Sequence, residues 1–208
     1  MGVVAVVPVK RLSAAKARLS PAFGPATRRD LALRMLDHVL RALLATPGLQ
    51  DVRIETADPE AAALAQGLGV GVIPEPPGIG SQSEAVEVAA RALVAEGVEA
   101  MLMLPLDLPR ADPADIARIL AEDEPGTQGP LAVLVPSRDG GTNAALRRPP
   151  NALPSRFGRG GSFQRHLDEG QRLGVRVKAL RLESLWLDVD TEEDYRDAFP
   201  NATPPTVS

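Results

Sequence analysis

Residues 3–18 read VVAVVPVKRLSAAKAR, and their first seven decide the fold. Val3 to Val9 is a β-branched apolar run with no polar alternation. That pattern fits a strand covered on both faces, as in the middle of a parallel sheet. Lys10 to Gly24 then reads as a loop. A helix is expected from Thr27, its cap, through Leu31, Met35, Val39 and Leu43 at four-residue spacing, until Pro47 and Gly48 stop it. A strand at Asp51–Thr56, a helix at Glu60–Leu68 and a strand at Val70–Ile73 continue the alternation, and PEPPGIG at 74–80 can only be loop.

The second half repeats the theme. Ser83–Ala95 is an alanine-rich helix and Ala100–Leu104 a dense apolar strand. A helix starting at Asp112 or Pro113 runs to Leu120, and Leu131–Val135 is a strand. Arg138 to Ser162 reads as one long glycine- and proline-rich stretch, too long for an idle loop in a compact domain. A helix at Phe163–Leu173, a strand at Val175–Leu182, a short apolar piece at Leu185–Val189 and a closing helix at Thr191–Phe199 complete the chain. Strand–helix alternation predicts an α/β fold with a mostly parallel central sheet and helices on both faces. Ligands in such sheets bind beyond the carboxyl ends of the strands. One domain is expected over 1–199, with 200–208 a loose C-terminal tail.

Composition removes several classes of function. There is no cysteine, which excludes disulfides, thiolate metal sites and cysteine nucleophiles. Two histidines, His38 and His166, leave little for a histidine-built metal site or a catalytic triad. The net charge of −4 and an aromatic content of 3% provide neither a phosphate-gripping surface nor base-stacking platforms, so no nucleic-acid partner is expected. No segment approaches the ~20 apolar residues of a membrane span, and the start lacks the basic region of a signal peptide. The expectation is a soluble, cytoplasmic protein.

Five stretches could carry chemistry. Asp107 follows the strand MLML within LPLDLP, where a carboxylate faces the ligand crevice; the plainer reading is a loop or cap aspartate, though Asp112 already suits the next cap. Asp188 and Asp190 in LDVD share a face if extended. At about 4 Å and an effective dielectric of about 20 they repel by about 4 kcal/mol, which a divalent cation relieves; alternatively Asp190 caps the last helix. All-oxygen ligands suit Mg²⁺, with Mn²⁺ as the alternative. SRDGGTN at 137–143 could bring backbone amides to an anion or be a tight Asp-Gly hairpin. FGRGGSF at 157–163 opens a helix with Ser162 as N-cap, a ready phosphate site or an ordinary flexible loop. Lysines stand only at 10, 16 and 178, and Lys10 and Lys16 follow the first strand where nucleotide phosphates usually sit, without a GxGxxG or Walker sequence. His38 reads as a surface residue, His166 as close to the site, and Trp186 as core.

In order, VPVKRLSAAKARLS, LPLDLP, PSRDGGTNAAL, FGRGGSFQRH and LDVDT run from Pro8 to Thr191. Together they resemble the 2-phospho-L-lactate guanylyltransferase family of coenzyme F-420 biosynthesis. The resemblance implies a Rossmann-like nucleotidyltransferase fold. It implies an enzyme that joins GTP to a phosphorylated three-carbon acid, releases pyrophosphate, and passes its product to a transferase that builds the deazaflavin coenzyme. The acid would be phosphoenolpyruvate, else 2-phospho-L-lactate or 3-phosphoglycerate. Asp107, Asp188 and Asp190 match the family's metal-binding aspartates. Thr142, Gly158, Gly161 and Ser162 lie where the acid's phosphate is held, with the glycine–serine spacing one residue longer than usual. That leaves open which glycine takes the role. Pro8, Lys10, Lys16, Gln82 and Asp107 would bind the nucleotide, Lys10 and Lys16 stabilising the phosphates and leaving pyrophosphate as catalytic residues.

The chemistry suits these residues independently, since phosphoryl transfer depends on positioning and charge stabilisation and an ionised phosphate needs no general base. Two other readings compete: a sugar or cofactor nucleotidyltransferase, against which the missing glycine-rich start counts, and a non-catalytic nucleotide-binding sensor, against which the three aspartates count. Oligomeric state stays open between monomer and homodimer.

Overall fold

The computed structural model describes residues 2–12, 19, 23–124, 126, 128–158 and 160–201. Lys16 and residues 202–208 of the expected tail lie outside them.

Seven strands form one sheet: β1 (Val3–Val9), β2 (Leu49–Thr56), β3 (Gly71–Pro74), β4 (Ala100–Met103), β5 (Leu131–Pro136), β6 (Thr142–Arg148) and β7 (Arg176–Ala179). Their order is β3-β2-β1-β4-β6-β5-β7. β1 pairs in parallel with β2 and β4, β2 with β3, and β5 with β7, while β6 runs antiparallel to both its neighbours. Among the described residues six α-helices cover it: α1 (Pro25–Leu44), α2 (Pro59–Gly67), α3 (Gln82–Ala95), α4 (Pro113–Ala121), α5 (Ser162–Leu173) and α6 (Glu192–Ala198).

The period-2 alternation of strand side chains divides the core in two. Val3, Ala5, Val7 and Val9 join Leu102, Val133 and Leu146 under α1, α2 and α4. Val4 and Val6 join Met101, Met103 and Leu134 on the opposite face, with α3 and α5. A third cluster packs Phe23 and Met35 against Leu187, Val189 and Tyr195, where α6 closes over the end of α1. β1, buried at every position, is central as its sequence requires.

Several boundaries differ from expectation. The stretch from Arg138 to Ser162 is not all loop, because Thr142–Arg148 forms β6. Thr27 lies inside α1; the helix is entered through Gly24 with Pro25 in the first turn. The N-cap of α5 is Gly161 in a left-handed conformation (φ 72°), and Ser162 is its first residue. The last helix is capped by Thr191, whose hydroxyl and the Asp194 carboxylate form a reciprocal capping box, which leaves Asp190 outside the cap. Asp112 does cap α4. β7 is only four residues long, and 183–185 form a 3₁₀ turn.

Candidate active site

The switch in strand order between β1 and β4 opens a crevice at the carboxyl ends of the strands. A cleft of about 230 Å³ lies there. It is walled by the loop after β4, the β5–β6 hairpin, the glycine turn before α5, and the extended chain before α6.

One wall is acidic. Asp107, Asp188 and Asp190 each offer a carboxylate oxygen, all within 4.8 Å of one another. Two tethers bring them together. The Val189 amide donates to the Asp107 carbonyl (3.1 Å), stitching the two chain segments. Asn143 Nδ2 donates to Asp188 Oδ1 (3.2 Å) and to the Leu185 carbonyl (2.9 Å), fixing Asp188 against β6. Burial, and then the charge of Asp107, push the Asp188 carboxyl up to about 6, against the opposing bond from Asn143. Like charges this close favour a cation between them, and three half-buried carboxylates are hard oxygen ligands of the kind Mg²⁺ and Mn²⁺ take.

The facing wall offers hydrogen-bond donors. Thr142 Oγ1 lies 3.1 Å from Ser162 Oγ and 3.1 Å from His166 Nδ1. Gly158 and Gly160 border the same cleft. Gly158 has φ 83°, a conformation that strains any other residue. The hairpin turn is held by Gly141, whose amide donates to Asp139 Oδ1 (2.9 Å). A Cβ at Gly141 would come within 2.5 Å of Ser137 Oγ. The Phe163 amide reaches the Gly140 carbonyl (3.3 Å), tying the start of α5 to that hairpin. The Asp-Gly hairpin thus sets out the donor wall.

The expected site residues divide accordingly. Asp107, Asp188, Asp190, Thr142, Gly158, Ser162 and Gln82 all line the cleft. Gly160 also lines it, and Gly161 beside it supplies the left-handed turn into α5. Pro8 is buried in β1, paired with Glu55. Lys10 is exposed, its Nζ donating to the Gly80 carbonyl (2.8 Å) in the β3–α3 loop, two residues before Gln82. His38 is exposed. Trp186 is half-buried under the Arg181 guanidinium, 4.2 Å from the ring centroid, and is not core. The sequence pattern does not single out Asn143, Ser137 or Asp139 individually; the signal is SRDGGTN, whose Ser137, Asp139, Thr142 and Asn143 all line the cleft.

Comparison with known proteins agrees with this geometry. Residues 3–200 match the family described as "Guanylyl transferase CofC like". A phosphoenolpyruvate guanylyltransferase of Rubrobacter xylanophilus is 42% identical over 195 residues, covering 93% of this chain and 92% of its own. One of Sphaerobacter thermophilus is 38% identical over 204 residues, covering 97% and 95%. Among solved structures, a Desulfovibrio desulfuricans G20 protein named for the nucleotide-diphospho-sugar transferases superposes with TM-score 0.74 at 18% identity, over 98% of this chain and 93% of that one. A nucleotidyl transferase from Methanothermobacter superposes with TM-score 0.62 at 17% identity, over 96% and 98%. These likenesses establish the Rossmann-like nucleotidyltransferase fold. Among the described residues no helix is long and apolar enough to cross a membrane.

Proposed function

The chain belongs to the CofC-like guanylyl transferase family, and on that premise we propose that it transfers the guanylyl group of GTP to a phosphorylated three-carbon acid, phosphoenolpyruvate foremost, within coenzyme F-420 biosynthesis. The observation that carries the reading is the meeting, in one cleft, of a three-carboxylate cluster and a wall of hydroxyl and glycine donors. Two anionic substrates can face each other there only if a cation neutralises one side and donors hold the other.

In the reaction, a phosphate oxygen of the acid attacks the α-phosphorus of GTP. The bond to the bridging oxygen of the β-phosphate breaks, and pyrophosphate leaves with that electron pair. The acid's phosphate is already ionised near neutral pH, so no side chain has to remove a proton. Asp107, Asp188 and Asp190 would hold a divalent ion, Mg²⁺ or Mn²⁺, which when bound neutralises charge on the phosphates. Thr142, Ser162 and the glycines at 158 and 161 would orient the acid, with Gly160 beside them on the cleft wall. Lys10 and Lys16 would stabilise the GTP phosphates and the leaving pyrophosphate, and Gln82, which lines the cleft, would contact the guanine. The reading treats 1–199 as one nucleotidyltransferase domain.

The test is pyrophosphate release with Mg²⁺ and GTP, offering phosphoenolpyruvate, 2-phospho-L-lactate and 3-phosphoglycerate separately. The deazaflavin-side transferase and its acceptor are included to consume the product. Release is expected with phosphoenolpyruvate. Folded, GTP-binding protein that releases none with any acid would move the assignment to another nucleotidyltransferase or to a nucleotide sensor.

A further inference from the structure

His166 is 2% exposed and lies one turn into α5 from Ser162. Its two ring nitrogens have unlike partners. Nε2 lies 2.9 Å from the Arg156 backbone nitrogen. A backbone N–H can only donate, so Nε2 accepts and carries no proton. Burial, followed by the positive charges of Arg147, Arg165 and Arg156, lowers the imidazole pKa to about 4; a hydrogen bond to the Ser162 backbone acts the other way. The ring is therefore neutral near pH 7, and its single proton sits on Nδ1.

Nδ1 faces Thr142 Oγ1 at 3.1 Å. A protonated Nδ1 cannot accept, so the Thr142 hydroxyl proton cannot be spent on the histidine. Thr142 and Ser162 then own two hydroxyl protons and share one contact, 3.1 Å long. One proton is left over, and both residues line the cleft. We propose that His166 is a positioning residue which, by presenting Nδ1–H to Thr142, commits the Thr142–Ser162 pair to donate, so that this subsite takes an anionic oxygen group and discriminates against a neutral hydroxyl. The proposal rests on the guanylyltransferase reading for its substrate, a phosphorylated acid, but not for its geometry.

Two variants separate this role from a structural one. In His166→Asn the side-chain amide lies near the place of Nδ1 and can still donate to Thr142. In His166→Gln the terminal oxygen lies near the place of Nε2 and can still accept from the Arg156 amide. With transfer assayed under Mg²⁺ and GTP, the Asn variant is expected to keep KM for the acid within about threefold of the parent. The Gln variant is expected to raise it about tenfold, which corresponds to roughly 1.4 kcal/mol. KM for GTP should be unmoved in both. The opposite ranking, or an equal loss in both, means that His166 only holds the 156 segment in place and overturns the proposal.

A second measurement stands apart from activity. In the otherwise complete protein carrying His38→Gln, the remaining histidine's ring nitrogens are read by ¹⁵N NMR at pH 7. An Nδ1-protonated tautomer is expected, and an Nε2-protonated or doubly protonated ring overturns the proposal. If the parent enzyme releases no pyrophosphate with any acid, the guanylyltransferase reading falls, and the tautomer still decides the role of His166.

Discussion

Asp188 shows how one residue joins stability to function. Its carboxyl titrates near 6 because it is buried beside Asp107, with Asp190 and Asp139 adding their charge. The folded value lies above the unfolded one, so the stability this group contributes is complete below about pH 4 and is lost as pH rises through 6. By pH 8 the loss amounts to roughly 2 kcal/mol in the metal-free protein. A divalent ion bound to the cluster reverses the sign, because it favours the ionised form. Mg²⁺ is thus expected to raise the melting temperature at pH 8 and to do little at pH 5. Asp188→Asn should melt higher than the parent at pH 8 without metal, gain nothing from Mg²⁺, and lose transfer activity. A parent protein whose melting ignores Mg²⁺ and Mn²⁺ at pH 8, or a variant with undiminished transfer, would remove Asp188 from the metal site. The three aspartates are legible in the sequence because each follows a recognisable apolar run, and a carboxylate past a strand's end faces the ligand crevice. The partner that aims Asp188 is not, since the bond from Asn143 joins residues 45 apart in sequence.

Strand β6 is where sequence pattern and structure part, and the reason is physical. TNAALRR lacks the β-branched apolar run that marks β1, and it is enclosed by two glycines and two prolines. Three of its four polar residues are nonetheless buried, each with a partner from a distant element. Thr142 meets α5, Asn143 meets the chain before α6, and Arg147 reaches α3. Arg147 is 1% exposed; its Nη1 donates to Glu87 Oε1 (3.0 Å) and to the Leu153 carbonyl (2.6 Å). Such pairings leave no periodic trace in a single sequence. The strand therefore has an anchor at its far end and a working end at the cleft. Arg147→Leu should destabilise by roughly 3 kcal/mol, because Glu87 loses its counter-charge in a half-buried site. Thr142→Val keeps the shape of the strand and should change stability by no more than about 1 kcal/mol while raising KM for the acid. Equilibrium denaturation of both variants, set beside their acid KM, checks the division. A Thr142→Val protein as unstable as Arg147→Leu would contradict it.

Across the whole molecule, the carboxyl edge of the sheet carries two acidic centres of opposite character. The three-aspartate cluster lies beyond β4 and β6. The other lies at the ends of β2 and β3, where Glu55 is fully buried and neither of its carboxylate oxygens has a hydrogen-bond partner among the described residues. Burial and then the nearby Glu75 push the Glu55 carboxyl up to about 7, while Lys10 pulls the other way. As with Asp188, the folded value exceeds the unfolded one, so this contribution is present below about pH 4.5 and is lost through pH 7. No divalent-ion cluster includes Glu55 among the described residues. The two centres can therefore be titrated apart. With saturating Mg²⁺ Asp188 no longer contributes to the fall, and what remains of the fall in stability from pH 5 to pH 8 belongs largely to Glu55. Glu55→Gln should flatten that residual fall and raise stability at pH 8 by roughly 2 kcal/mol. In a domain of this size that corresponds to roughly 4–8 °C in melting temperature. At pH 5 the variant and the parent should melt together, because both carry a neutral side chain there. Parallel pH profiles of the two proteins in Mg²⁺ would show that Glu55 keeps an ordinary carboxylate pKa, and would transfer the pH dependence to other groups in the fold.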